Sequence, residues 1–104
     1  MQSDSESLAV FDGKTLSYTY EGGMAVSNVF DGAARSTEFG GETLVEQVTV
    51  KNVAPNTYYV VWEDAVRGMA TQTVNLDTME VVTAITMEGQ IMVMPGSITS
   101  FEAS

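Results

Sequence analysis

Apolar and polar side chains alternate along most of the chain, in short runs rich in β-branched and aromatic residues that Gly, Asn and Asp separate about every ten positions. Successive side chains of a strand point to opposite faces, so this pattern predicts a meander of antiparallel strands. The first is expected over 14–21, with Leu16, Tyr18 and Tyr20 on one face and Gly22-Gly23 as its turn. The second, over 24–30, aligns Met24, Val26, Asn28 and Phe30, and Asp31-Gly32 behind it is a strong hairpin signal. A third over 33–39 ends at Gly40-Gly41. A fourth over 42–50 sets Leu44, Glu46, Val48 and Val50 against Thr43, Val45, Gln47 and Thr49, faces that are not cleanly sorted. The run 51–56 contains Pro55, which cannot donate to a ladder, and reads as a loop. The fifth strand, 57–64, is the strongest and carries Tyr58, Val60, Trp62 and Asp64 on one face. A turn near 66–68 leads to a sixth strand over 69–75 and, past Asp77-Thr78, a seventh over 80–87. After Glu88-Gly89 an eighth runs over 90–101, with a bulge or bend expected at Pro95-Gly96.

Eight strands with short connections form either a sandwich or a closed barrel, and closure alone removes the exposed edges. The expected fold class is therefore all-β: a single eight-stranded antiparallel up-and-down barrel over residues 13–104. Residues 1–12 are expected to be a flexible or poorly ordered lead-in, although a helical turn fits within 5–12 or 64–68. A chain of 104 residues has enough apolar surface for one core only. An eight-stranded barrel is just filled by its own side chains, or holds one small ligand where some of them are small.

Composition narrows the chemistry. Fourteen acids against four bases give a formal charge of −10, which repels phosphate backbones and anionic lipid and sets nucleic acid and membrane surfaces aside as partners. Without cysteine there are no disulfides or thiolate sites. Without histidine there is no Ser-His-Asp relay and none of the usual zinc shells. Neither a calcium loop nor a phosphate-cradling glycine loop is present, so no metal and no cofactor is expected. Acid–base work falls to carboxylates, tyrosines or the few lysines. The acidic start, MQSDSES, lacks the basic and apolar regions of a signal peptide, and a cytoplasmic location is expected.

The run Tyr18-Thr19-Tyr20-Glu21-Gly22-Gly23, followed later by Tyr58-Tyr59-Val60-Val61-Trp62-Glu63-Asp64, resembles the lipocalin-like (calycin) superfamily shared by phenolic acid decarboxylases and MoaF-like proteins. Asn75-Leu76-Asp77, then 81–85 and Gly96-Ser97-Ile98, resemble the MoaF-like branch more closely. The similarity spans about 13–101. It implies a lipocalin-like barrel and a homodimer. In the decarboxylases a tyrosine pair and an arginine hold the substrate carboxylate while an acid after the tryptophan moves the proton. Carried over, Tyr18 and Tyr20 are the pair and Asp64 the acid. The arginine's place falls near 40–43, where this chain has none; Arg35 lies upstream.

Each candidate has a plainer role. Asp64 is either a desolvated acid in the barrel or the residue that opens the next turn. Tyr18, Tyr20, Tyr58 and Trp62 either line a cavity or pack the core. Arg35 either meets a ligand's acid inside or pairs with a surface carboxylate. Three functions remain open. One is binding of a small, mainly apolar or aromatic ligand in the barrel mouth by Tyr18, Tyr20, Arg35, Tyr58 and Trp62. The second is a cofactor-free lyase or isomerase with Asp64, Tyr18 and Tyr20 as catalytic residues. The third is a structural homodimer.

Overall fold

The computed structural model describes residues 2–64 and 68–104, the side chains of Phe39, Asp64 and Met87 excepted. The alternating runs form β1 (Lys14–Tyr20), β2 (Ala25–Asp31), β3 (Ala34–Phe39), β4 (Glu42–Ala54), β5 (Thr57–Asp64), β6 (Gly68–Asn75), β7 (Glu80–Met87) and β8 (Gln90–Ala103). Each strand pairs with its sequence neighbours, and β8 returns antiparallel along β1, from Lys14 opposite Ala103 to Tyr20 opposite Gly96. The sheet is thus a closed barrel, as the edge argument predicts, and the sandwich is excluded. Of the 64–68 turn, residues 65–67 lie outside the described residues.

Two local expectations are corrected. The 51–56 run is mostly strand: β4 continues to Ala54, with a register shift between Asn52 and Ala54, and only Pro55 and Asn56 turn the chain. Asn56 takes the left-handed conformation (φ 51°) that asparagine tolerates better than most residues. Nor does β8 break at Pro95-Gly96. The Pro95 carbonyl accepts the Glu21 N–H at 3.0 Å, so its ring nitrogen, on the same side, faces the chain just beyond β1, and the pairing of β8 with β7 runs through Pro95 without interruption. The bulge falls instead at Thr99, because Ser17 faces Ser100 while Tyr18 faces Ile98. Gly96 is needed for space: a Cβ there would stand 2.9 Å from the Thr19 carbonyl oxygen and 3.2 Å from the Tyr20 ring.

The lead-in carries the helical turn that its sequence allows. Residues Asp4–Phe11 form α1, opened by a capping box in which the Glu6 N–H donates to Ser3 Oγ (3.2 Å) and the Ser3 N–H to Glu6 Oε1 (2.9 Å). The Ser3 N–H first, and the Ser3 hydroxyl after it, hold the exposed Glu6 carboxyl below its ordinary range. Ser7 anchors the helix to the barrel by accepting the Asn52 N–H at 3.1 Å. Phe11 then enters the barrel end with no exposed surface, its ring 5.0 Å from Phe30, 5.2 Å from Tyr58 and 5.4 Å from Phe101. One end of the barrel is plugged. The other, where the β1–β2, β3–β4 and β7–β8 connections gather, is the mouth. No helix among the described residues is long and apolar enough to cross a membrane.

Truncating a fully buried aromatic leaves a cavity that cores rarely close, so Phe11→Ala is expected to cost about 3–5 kcal/mol in urea unfolding. A loss under about 1 kcal/mol would show that the plug is dispensable.

Candidate functional site

Inward positions of the barrel are not uniformly apolar: Asn28, Arg35, Thr37, Glu46, Gln72 and Thr83 are all buried there. They occur as cross-strand pairs. Asn28 stands opposite Thr37 and donates to its hydroxyl at 3.0 Å; Gln72 stands opposite Thr83 and does the same at 3.0 Å. Arg35 stands opposite Glu46. Their side chains, 1% and 6% exposed, form an ion pair in which Arg35 Nη2 (2.8 Å) and Nε (3.2 Å) both donate to Glu46 Oε1. The Thr37 hydroxyl gives that same oxygen a third hydrogen bond at 2.7 Å. The guanidinium lies 3.9 Å from the centre of the Trp62 ring, within cation–π range. The reading of Arg35 as a surface pair is therefore overturned. The arginine is interior, and its charge is cancelled by a carboxylate that no candidate list from the sequence contained.

Above this pair, toward the mouth, lies a cavity of about 50 Å³. Tyr18, Tyr20 and Trp62 supply its aromatic wall, Arg35, Glu46, Thr37 and Thr83 its polar groups, and Met24, Val26, Leu44, Ile85 and Met94 its apolar side. Tyr20 donates to Thr83 Oγ1 at 2.8 Å, and its ring meets Tyr18 edge-on at 5.3 Å. Burial, and after it the neighbouring Tyr20, pushes the Tyr18 phenol above its ordinary range while Arg35 pulls the other way. Tyr18 is thus a neutral donor at any ordinary pH. Among the described residues, Arg35 Nη1, Trp62 Nε1, Asn28 Oδ1 and Gln72 Oε1 are buried without a hydrogen-bond partner, an interior with unused capacity in both senses.

The structure brings together four of the expected residues, Tyr18, Tyr20, Arg35 and Trp62. Tyr58 is not among them. It packs on Phe11 at the plugged end, and its hydroxyl donates to Gln2 Oε1 at 2.9 Å. The backbone of Asp64 ends β5 opposite Gly68, and its side chain lies outside the described residues. Glu46 was missed because its strand does not sort its faces. The signal existed: with Gly40-Gly41 as a two-residue turn, counting outward pairs Phe39 with Glu42 and so Arg35 with Glu46.

Glu46→Gln leaves a buried guanidinium uncompensated and is expected to cost about 3–5 kcal/mol, read by urea unfolding. Arg35→Met with Glu46→Leu is expected to cost less than Glu46→Gln alone, since it removes both charges. Additive losses would show that the two groups do not depend on each other.

A family model described as MoaF-like matches residues 12–99. Among solved structures, that of a candidate beta-lactamase from Burkholderia vietnamiensis superposes with a TM-score of 0.78 at 23% identity, covering 85% of this chain and 92% of that one. At that identity the likeness shows the fold alone. No curated protein matches the chain. The matched span takes in β1 to β7 whole and β8 as far as Thr99, and the chain belongs to the MoaF-like family.

Proposed function

We propose that this barrel binds one small, mainly apolar or aromatic molecule, taken in at the mouth with its polar end toward Arg35, Tyr18 and Trp62. The observation that supports it is the cavity itself: aromatic and thioether walls around a few fixed polar groups, the usual make-up of a ligand pocket. Its size sets the mode. At about 50 Å³ it exceeds what one water needs, about 10–15 Å³, but falls short of the roughly 150 Å³ that encloses a benzene. The inner space therefore takes a ligand's head, and the remainder lies between Met24, Leu44 and Met94, whose flexible side chains adapt to it.

A proton-transfer role for Asp64 depends on a side chain outside the described residues. The cavity carboxylate that is described, Glu46, has its Oε1 committed to Arg35 and Thr37. Binding is accordingly the reading carried forward.

Trp62 is the chain's single tryptophan and lines the cavity, so its fluorescence reports occupancy directly. Titration with small aromatic acids, amides and lipophiles is expected to give a saturable change for some of them. Tyr18→Phe removes one hydrogen bond and should weaken those ligands about two- to tenfold. No response across the set would reject the proposal.

A second reading, a homodimer, has its own support. Val82, Ile91 and Val93 are exposed on the outer wall of β7 and β8, at 43%, 75% and 63%. Two chains of charge −10 can meet only where charge is sparse, and the outward positions of that wall between Glu80 and Glu88 are uncharged. Sedimentation is expected to show a dimer that Val93→Glu converts to monomer. A monomer at every concentration up to about millimolar would remove this reading.

A further inference from the structure

From the electrostatics of the cavity and its rim we infer that the ligand is an uncharged carbonyl compound, an aromatic or apolar amide in its simplest form, and that carboxylates are rejected. This rests on the binding reading above and narrows it to a chemical class.

Two independent features carry it. The first is inside. A lone buried arginine recruits a carboxylate, but Glu46 already supplies one, 2.8 Å from Nη2 and buried with it. A second carboxylate brought against the pair adds an uncompensated negative charge to an interior where desolvation is severe. The groups still unused are neutral in their demand. Arg35 Nη1 and Trp62 Nε1 are donors without acceptors among the described residues, and a carbonyl oxygen has two lone pairs and no net charge. An amide adds N–H donors, and Glu46 is the acceptor in the same cavity.

The second feature is the rim. In an up-and-down barrel the alternate connections share one end, and here those connections and the strand ends beside them carry Glu21, Glu38, Glu42, Glu63 and Glu88, all exposed. Met24 and Leu44, which line the cavity, belong to the same turns or adjoin them. Lys14 begins β1 at the plugged end, and Lys51 pairs with Asp4 of α1 there. Arg67, in the β5–β6 connection, lies outside the described residues. An anion approaching the mouth meets like charges before it reaches Arg35; a neutral molecule does not. A cation passes the rim and then meets a guanidinium whose partner oxygen is already taken.

Benzamide, benzoate and benzamidine share a ring and differ in the charge of the head group. In Trp62 fluorescence titrations at pH 7 and low salt, benzamide is expected to bind about tenfold or more tightly than benzoate. The deficit of benzoate should shrink as salt shortens the Debye length from about 30 Å at 0.01 M to about 10 Å at 0.1 M. It should shrink also in the doubly substituted Glu42→Gln, Glu88→Gln chain, whose changes are exposed and leave the interior intact. Benzoate or benzamidine binding as tightly as benzamide overturns the inference. Silence from all three, while other lipophiles respond, overturns it and leaves the binding reading standing; silence from every compound removes both.

Discussion

One constraint organises the barrel: an arginine with about 1% of its surface exposed must have its charge met inside. Transferring an unpaired guanidinium out of water is far more costly than any single packing contact can offset. Glu46 meets it from the next strand, Thr37 adds a hydrogen bond to the same oxygen, and the Trp62 ring lies against the guanidinium. Those contacts come from β3, β4 and β5, so the pair ties three consecutive strands at one level. A slip of one residue anywhere in that stretch would turn a charge outward and leave its partner alone, so the register is fixed by electrostatics as well as by apolar alternation.

Below and above that level the interior changes character. Phe11, Phe30, Tyr58 and Phe101 fill the plugged end with ring against ring. Toward the mouth the residues are Tyr18, Tyr20, Met24, Leu44 and Met94, and space appears. The helix that delivers Phe11 is therefore part of what makes the barrel one-ended. With the far end sealed by aromatic packing, the proposed ligand would reach the polar pair by way of the mouth.

Much of this was legible in the sequence. Period-two alternation with a turn signal about every ten residues identifies the strands, and the cost of exposed edges selects closure. What was not legible has physical causes. Pro55 and Pro95 look like strand breakers, yet a proline breaks a ladder only where its nitrogen faces a partner, and that depends on where the neighbouring strand stops. The capping box Ser3–Glu6 was present in the sequence but introduces only eight residues of helix, whose stability comes from docking Phe11, a tertiary contact. Tyr58 shares a face with Trp62, as expected, but strand tilt in a barrel carries two residues of one face to different depths, so a common face does not mean a common cavity. Glu46 needed register, and register needed the turn to be counted.

Under the proposed binding role the site would divide its work between a rigid floor and a yielding mouth. Arg35 and Glu46 are held by each other, by Thr37 and by Trp62, so the positions of the polar groups are fixed before a ligand arrives and little ordering cost remains to be met on binding. Met24 and Met94 are unbranched thioethers at the opening, and Met24 is 46% exposed, free to reshape around whatever follows the head group. Such a site discriminates strongly at the atoms that reach the floor and weakly along the rest of the molecule. A buried hydrogen-bonding group left unpaired is penalised far more than a methylene misplaced among methionines, so under the proposed binding role selectivity would belong to the functional group a ligand presents and hardly at all to the length or shape of its tail.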